Sequence, residues 1–199
     1  MYGTNPFSAE EAWNAGSGRS TGTAPSVFGA LPYPTASANQ VSLNELVTFR
    51  FTSFNPTVLN CTVVGPNNET YFRVVTDASM QGYTVLKNSQ GSNIALVGWQ
   101  THPNVEARGV AAKQPVAQWL QLASDRSSRY MMHNGVGYSW APSDRFLNLF
   151  VTGTSDWLAR VSKTYDSVVL EVTHRAMQLG LLDAAILGTV LLQCGKNID

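Results

Sequence analysis

From Leu46 onward the apolar positions come in short runs of β-branched and aromatic residues, separated by Gly, Asn, Asp and Pro. That pattern predicts many strands joined by tight connections. The predicted strands are Leu46 to Phe51, Val58 to Val64, Tyr71 to Thr76, Tyr83 to Lys87, Ile94 to Trp99, Val105 to Arg108, Arg129 to His133, Val136 to Trp140, Phe146 to Val151, Trp157 to Ser162 and Val168 to Thr173. About eleven strands is a barrel or sandwich count. Before Leu46 the chain is rich in Gly, Ser, Thr, Ala, Asn and Pro, and its aromatics (Phe7, Trp13, Phe28, Tyr33) are spaced too widely to share a face. Residues 1–44 therefore read as a flexible tail and residues 45–199 as the folded domain.

One hairpin can be placed in register. Asn134-Gly135 is the strongest two-residue turn signal, because Gly tolerates the positive φ of a type I′ turn. His133 then faces Val136, Met131 faces Tyr138 and Arg129 faces Trp140, while Met132 meets Gly137 and Tyr130 meets Ser139. Arg129 over Trp140 is expected to make a cation–π contact. Two more antiparallel pairs turn through Asn88-Ser89-Gln90-Gly91-Ser92 and through Gly153-Thr154-Ser155-Asp156.

Two segments break the β pattern. Pro115 to Ala123 places Val116, Trp119, Leu120 and Leu122 at helical spacing behind a first-position proline, and predicts a short accessory helix plugging one end of the sheet. Leu179 to Leu192 is apolar all round a helix, so it must be enclosed. It is too short to span a bilayer, and Asp183 near its start would serve as an N-cap. The residues thus predict a mostly β fold, a closed antiparallel barrel of about 11–12 strands with this helix threaded through or against it.

The composition supports a single core: 44% of residues are hydrophobic and 10% aromatic in a chain of 199. Thirteen cationic side chains balance thirteen anionic ones, so no global field attracts nucleic acid, and any anion site must be local. The N-terminus lacks the basic start and apolar run of a secretory signal, which points to a cytoplasmic protein with Cys61 and Cys194 as free buried thiols. The sequons at Asn60 and Asn68 carry no weight in that compartment.

Several of these residues together carry a resemblance. The order Tyr71-Phe72-Arg73-Val74-Val75-Thr76, Gly98-Trp99, Trp119-Leu120, Gly135 with Tyr138-Ser139-Trp140, Leu147-Asn148-Leu149, Leu158-Ala159-Arg160-Val161, Leu170-Glu171-Val172 and Gly180-Leu181-Leu182-Asp183 resembles a family of uncharacterised fungal proteins common in mushroom-forming species. That family in turn resembles the tubby C-terminal, LURP-one and phospholipid-scramblase group. The resemblance spans roughly Val58 to Gln193 and rests on packing motifs. It implies a twelve-stranded barrel around a central C-terminal helix, and an association with phosphoinositides.

Chemistry is sparse. His102, His133 and His174 have no nucleophile elbow or triad signature near them, and His133 reads as an exposed turn residue. No Cys, His or acidic spacing suggests a metal, and no motif implies a cofactor. Gly16 to Gly22 reads as linker, and Asp77 as a solvated turn residue. A lipid or anion site would draw on Arg73 with Lys87, or on Arg160 with Lys163 and Arg175. In the tail, Asn5-Pro6-Phe7 matches the tripeptide of EH-domain ligands on endocytic adaptors and is the candidate partner motif. Leu31-Pro32-Tyr33-Pro34 reads as linker entering the barrel.

The leading expectation is a non-enzymatic binding module for a membrane lipid, phosphoinositide or protein, with a tail that recruits a partner. The alternatives are a small-molecule-binding protein or enzyme with a pocket at one barrel end near the Pro115 helix, and a structural protein.

Overall fold

The computed structural model describes residues 46–76, 82–164 and 167–199. Thirteen strands form one antiparallel sheet: β1 (Leu46–Thr52), β2 (Cys61–Val64), β3 (Thr70–Val75), β4 (Tyr83–Asn88), β5 (Asn93–Gly98), β6 (Asn104–Ala107), β7 (Ala111–Pro115), β8 (Gln121–Leu122), β9 (Arg129–His133), β10 (Val136–Ser143), β11 (Phe146–Val151), β12 (Trp157–Lys163) and β13 (Val168–Thr173). Among the described residues three α-helices, α1 (Val116–Trp119), α2 (His174–Gln178) and α3 (Leu182–Gln193), and one 3-10 turn (Pro66–Asn68) accompany them.

The strand order is β7-β6-β5-β4-β3-β2-β1-β13-β12-β11-β10-β9-β8. β1 lies mid-sheet. The first half of the chain meanders to one edge, α1 carries it across to the other edge, and the second half meanders back until β13 pairs with β1. Alternation fixes which side chains face inward. Val47, Val172, Ala159, Leu149 and Trp140 form one row across five strands. Cys61, Val74, Leu86, Ala95, Ala107 and Ala111 form another across six, all buried.

Of the predicted run Leu179–Leu192, Leu179 is the exposed C-cap of α2, and α3 takes the part from Leu182, with Ala184 through Leu191 all buried. Such a helix has no solvent face, and its burial in the core stabilises the fold by about 1.5–3 kcal/mol per large side chain. Gly188 lets Trp140 approach the helix: a Cβ there would lie 3.0 Å from the indole Nε1.

The Asn134-Gly135 hairpin has the expected register at every pair, with both turn residues at positive φ (49° and 76°). The other two hairpins also form. Several expectations are corrected. The sheet does not close into a barrel, because its edge strands β7 and β8 are joined through α1 rather than paired with each other. The predicted helix over 115–123 is only Val116–Trp119: Pro115 is its cap, Leu120 leaves the helical region, and Gln121–Leu122 is taken up by the sheet beside β9. Asp183 sits in the first turn of α3, where Leu181 is the capping position. The short helix α2 was hidden in the run after β13: the Thr173 hydroxyl caps it by accepting from the Ala176 amide at 3.1 Å, and Gly180 (φ 69°) ends it.

Candidate functional site

Twelve antiparallel steps separate β7 from β8 across the sheet, so these two strands run in the same direction. The chain climbs β7, turns through α1 and continues along β8, beside the start of β9. β8 pairs only with Arg129 and Tyr130, so Met131, Met132 and His133 have no strand beside them on that side. Between this free length of β9 and β7 lies a cleft of about 570 Å³, with Ala111, Ala112 and Gln114 on one wall, Met131 and Met132 on the other, and Trp119 among its lining residues. Its size falls within the range of small-ligand pockets.

Two features mark this seam. Trp119 is buried, and its indole N–H, like that of Trp140 elsewhere in the core, has no acceptor among the described residues. The second is exposed apolar surface. Of the five large apolar or aromatic side chains exposed among the described residues, three belong to the β9–β10 hairpin: Tyr130, Met132 (59%) and Val136. A larger cleft, about 710 Å³, lies over β4–β7 beside Leu96 and Glu106, and shares Val110, Ala111 and Ala112 with the seam. It has no unpartnered buried donor among its lining residues.

Residues 55–196 match the sequence pattern of DUF6593, a family of unknown function. The chain belongs to that family. No curated protein matches the DUF6593 chain. An X-ray structure of a protein from Arabidopsis thaliana is similar to it at 10% identity, with a TM-score of 0.40, covering 73% of this chain and 91% of that one. A likeness of that order assigns neither fold family nor activity.

The structure separates the basic residues of this DUF6593 domain into two situations. Arg73 and Lys87 are directly opposite each other on β3 and β4, and neither has an ion-pair partner among the described residues. Arg160 is occupied: it donates to Glu171 at 2.6 Å and lies over the rings of Phe146 and Trp157. Arg175 holds Asp156 at 2.8 Å. Lys163 stands opposite Val168, at the start of β13, while Arg175 follows its end, roughly 17 Å away along the strand. Arg160, Lys163 and Arg175 therefore do not converge. Asn5, Pro6 and Phe7, with the whole of 1–44, lie outside the described residues, as does Asp77.

His133 is buried rather than exposed at the turn, because the register points it inward with Met131; its Nδ1 has no partner. Burial pushes the Asp183 carboxyl up, and the neighbouring His133 opposes that shift. Arg129 does not reach for Trp140. It grips Asp199 through two hydrogen bonds and donates a third to the Leu120 carbonyl at 3.0 Å. Cys61 and Cys194 are free and buried, as expected. Among the described residues no cluster of His, Cys, Asp and Glu could hold a metal ion, and no helix is long and apolar enough to cross a membrane.

The sequence reading missed the seam. β7 is Ala-Ala-Lys-Gln-Pro and β8 is two residues long, and neither carries the β-branched run that signals a strand. The usable signal was the Pro115 helix, beside which the alternative small-molecule reading set a pocket.

Proposed function

We propose that this domain is a non-enzymatic binding module and that the seam between β7 and β9 is its binding site. One observation carries the reading: an open stretch of sheet edge and the exposed Tyr130 and Met132 occur together at the cleft that Trp119 lines. Ligand burial would cover apolar surface that now meets water, and a carbonyl that displaced the wall over Trp119 would satisfy its buried indole N–H. Isotope-labelled protein titrated with benzamide and N-butylacetamide tests this, with Trp119→Phe assigning the indole resonance. The Trp119 signal should move while those of Trp99 and Trp140 stay. A Trp119 signal unmoved by either probe, together with no shift at Ala112 or Met132, would remove the seam as the site.

A second reading is favoured by the register of Arg73 against Lys87. Like charges directly opposite on a sheet repel, and an anion between them would relieve that cost. The anionic lipid headgroups implied by the family resemblance supply such a group. Co-sedimentation with phosphatidylserine and phosphoinositide vesicles, lost in an Arg73→Gln, Lys87→Gln double variant, supports it. Equal sedimentation of parent and variant sinks it.

A further inference from the structure

We infer that the occupant of the seam is an extended, uncharged segment of another protein, added as a strand between β7 and β9. The inference rests on the seam being the binding site and says what enters it. The backbone sets the chemistry. A two-residue turn closes on a hydrogen-bonded pair, here His133 with Val136, so His133 and Met131 turn their amide groups toward β10. Tyr130 and Met132 turn theirs the other way. Tyr130 is met by Gln121 of β8, but Met132 has no strand to meet. An incoming strand beside Met132 finds its N–H and C=O without a strand partner, runs antiparallel to β9 and parallel to β7, and must end short of α1, because the register of β8 puts Leu120 and Trp119 on that line.

The side chains agree with that occupant. No charged residue lines the cleft, and a charged segment would be desolvated there without a partner. Alternate residues of the added strand would face inward toward Met131 and Trp119, whose N–H needs an acceptor, and outward beside Tyr130 and Met132. Gln114, Gln118 and Gln121 provide amides for the rest of the segment. The β7 side of the seam is blunted in the ordinary way, by exposed Lys113 and by Pro115, whereas the β9 side carries the apolar Met132, 59% exposed. A second copy of this chain is a poor occupant: among the described residues every strand from β1 to β6 and from β10 to β13 is already paired on both sides. Its described strands could offer only the same β7, β8 and β9 edges. Strand addition to an exposed edge is a common peptide-recognition mode, with affinity from the main chain and selectivity from alternate side chains.

The test selects short linear peptides from a random phage-displayed library against the full chain, then follows amide hydrogen exchange residue by residue with the best synthetic peptide. Enriched peptides should be uncharged over their central residues, slow the exchange of the Met132 amide and move the Trp119 indole signal. Methylating alternate peptide nitrogens in one register should weaken binding by about tenfold or more, and in the other register hardly at all. Because this contrast alters only the peptide, it does not depend on how a protein variant folds. Four outcomes would each overturn the inference: no enrichment, unchanged Met132 exchange on binding, a Met132 amide already protected in the free chain, or equal tolerance of both methylation registers. If benzamide still moves Trp119 while no peptide does, strand addition fails and the seam stands as a site. If neither moves it, both fail.

Discussion

Arg129 and Asp199, seventy residues apart, form a two-pronged ion pair with N to O distances of 2.9 and 2.7 Å. Arg129 also holds the Leu120 carbonyl, so one guanidinium ties the end of α1, strand β9 and the segment after α3 together. Its hydrogen bonds hold the Asp199 carboxyl below the ordinary aspartate value. A carboxylate depressed in the folded state stabilises above its unfolded pKa of about 3.9 and ceases to do so as pH falls through the folded value. Asp199→Asn is expected to lose on the order of 1 kcal/mol at neutral pH, the modest figure suited to a half-exposed pair. Thermal melts of parent and variant should converge as the pH drops below about 4.

Asp183 has the opposite sign. Burial raises its carboxyl, with His133 opposing. A carboxyl raised in the folded state contributes stability below its unfolded pKa and loses it as pH rises through the folded value. Asp183→Asn should therefore melt higher than the parent at neutral pH, and the two should melt alike below about pH 4. A lower melting temperature for the variant at neutral pH would show that the α3 dipole outweighs desolvation.

Gly188 faces Trp140 where an added Cβ would lie 3.0 Å from Nε1 and 3.3 Å from two ring carbons. Trp140 is fully buried and has nowhere to swing. Gly188→Ala gains about 1 kcal/mol of helix propensity but overpacks the core by roughly 1–3 kcal/mol. The denaturant midpoint should fall with an unchanged slope.

Burial pushes the Cys61 thiol up to about 12, and raises Cys194 as well. The thiolate is the reactive form, so iodoacetamide at neutral pH should leave both unmodified in the folded chain and label both in urea. Intact mass reads the result directly, and rapid labelling of folded protein would contradict the packing around β2.

Much of the fold was legible from the residues alone. The alternation of apolar runs determined eleven of the strands, β2 only over the last four residues of its predicted run, the Asn134-Gly135 turn determined the register of β9 on β10 to the residue, and the all-round apolarity of Leu179–Leu192 determined a buried helix, which begins at Leu182. These are local signals: side-chain period, positive-φ tolerance and the cost of exposing carbon. What the sequence could not carry is which distant segments meet. Ala111–Pro115 and Gln121–Leu122 are strands because β6 and β9 offer hydrogen-bonding partners, not because their residues prefer extension. Arg129 chose Asp199 over Trp140 because the segment after α3 returns to β9. The open seam follows from the same cause, since the gap between β7 and β9 exists only once the two halves of the sheet have curled around α3 and brought their edges face to face.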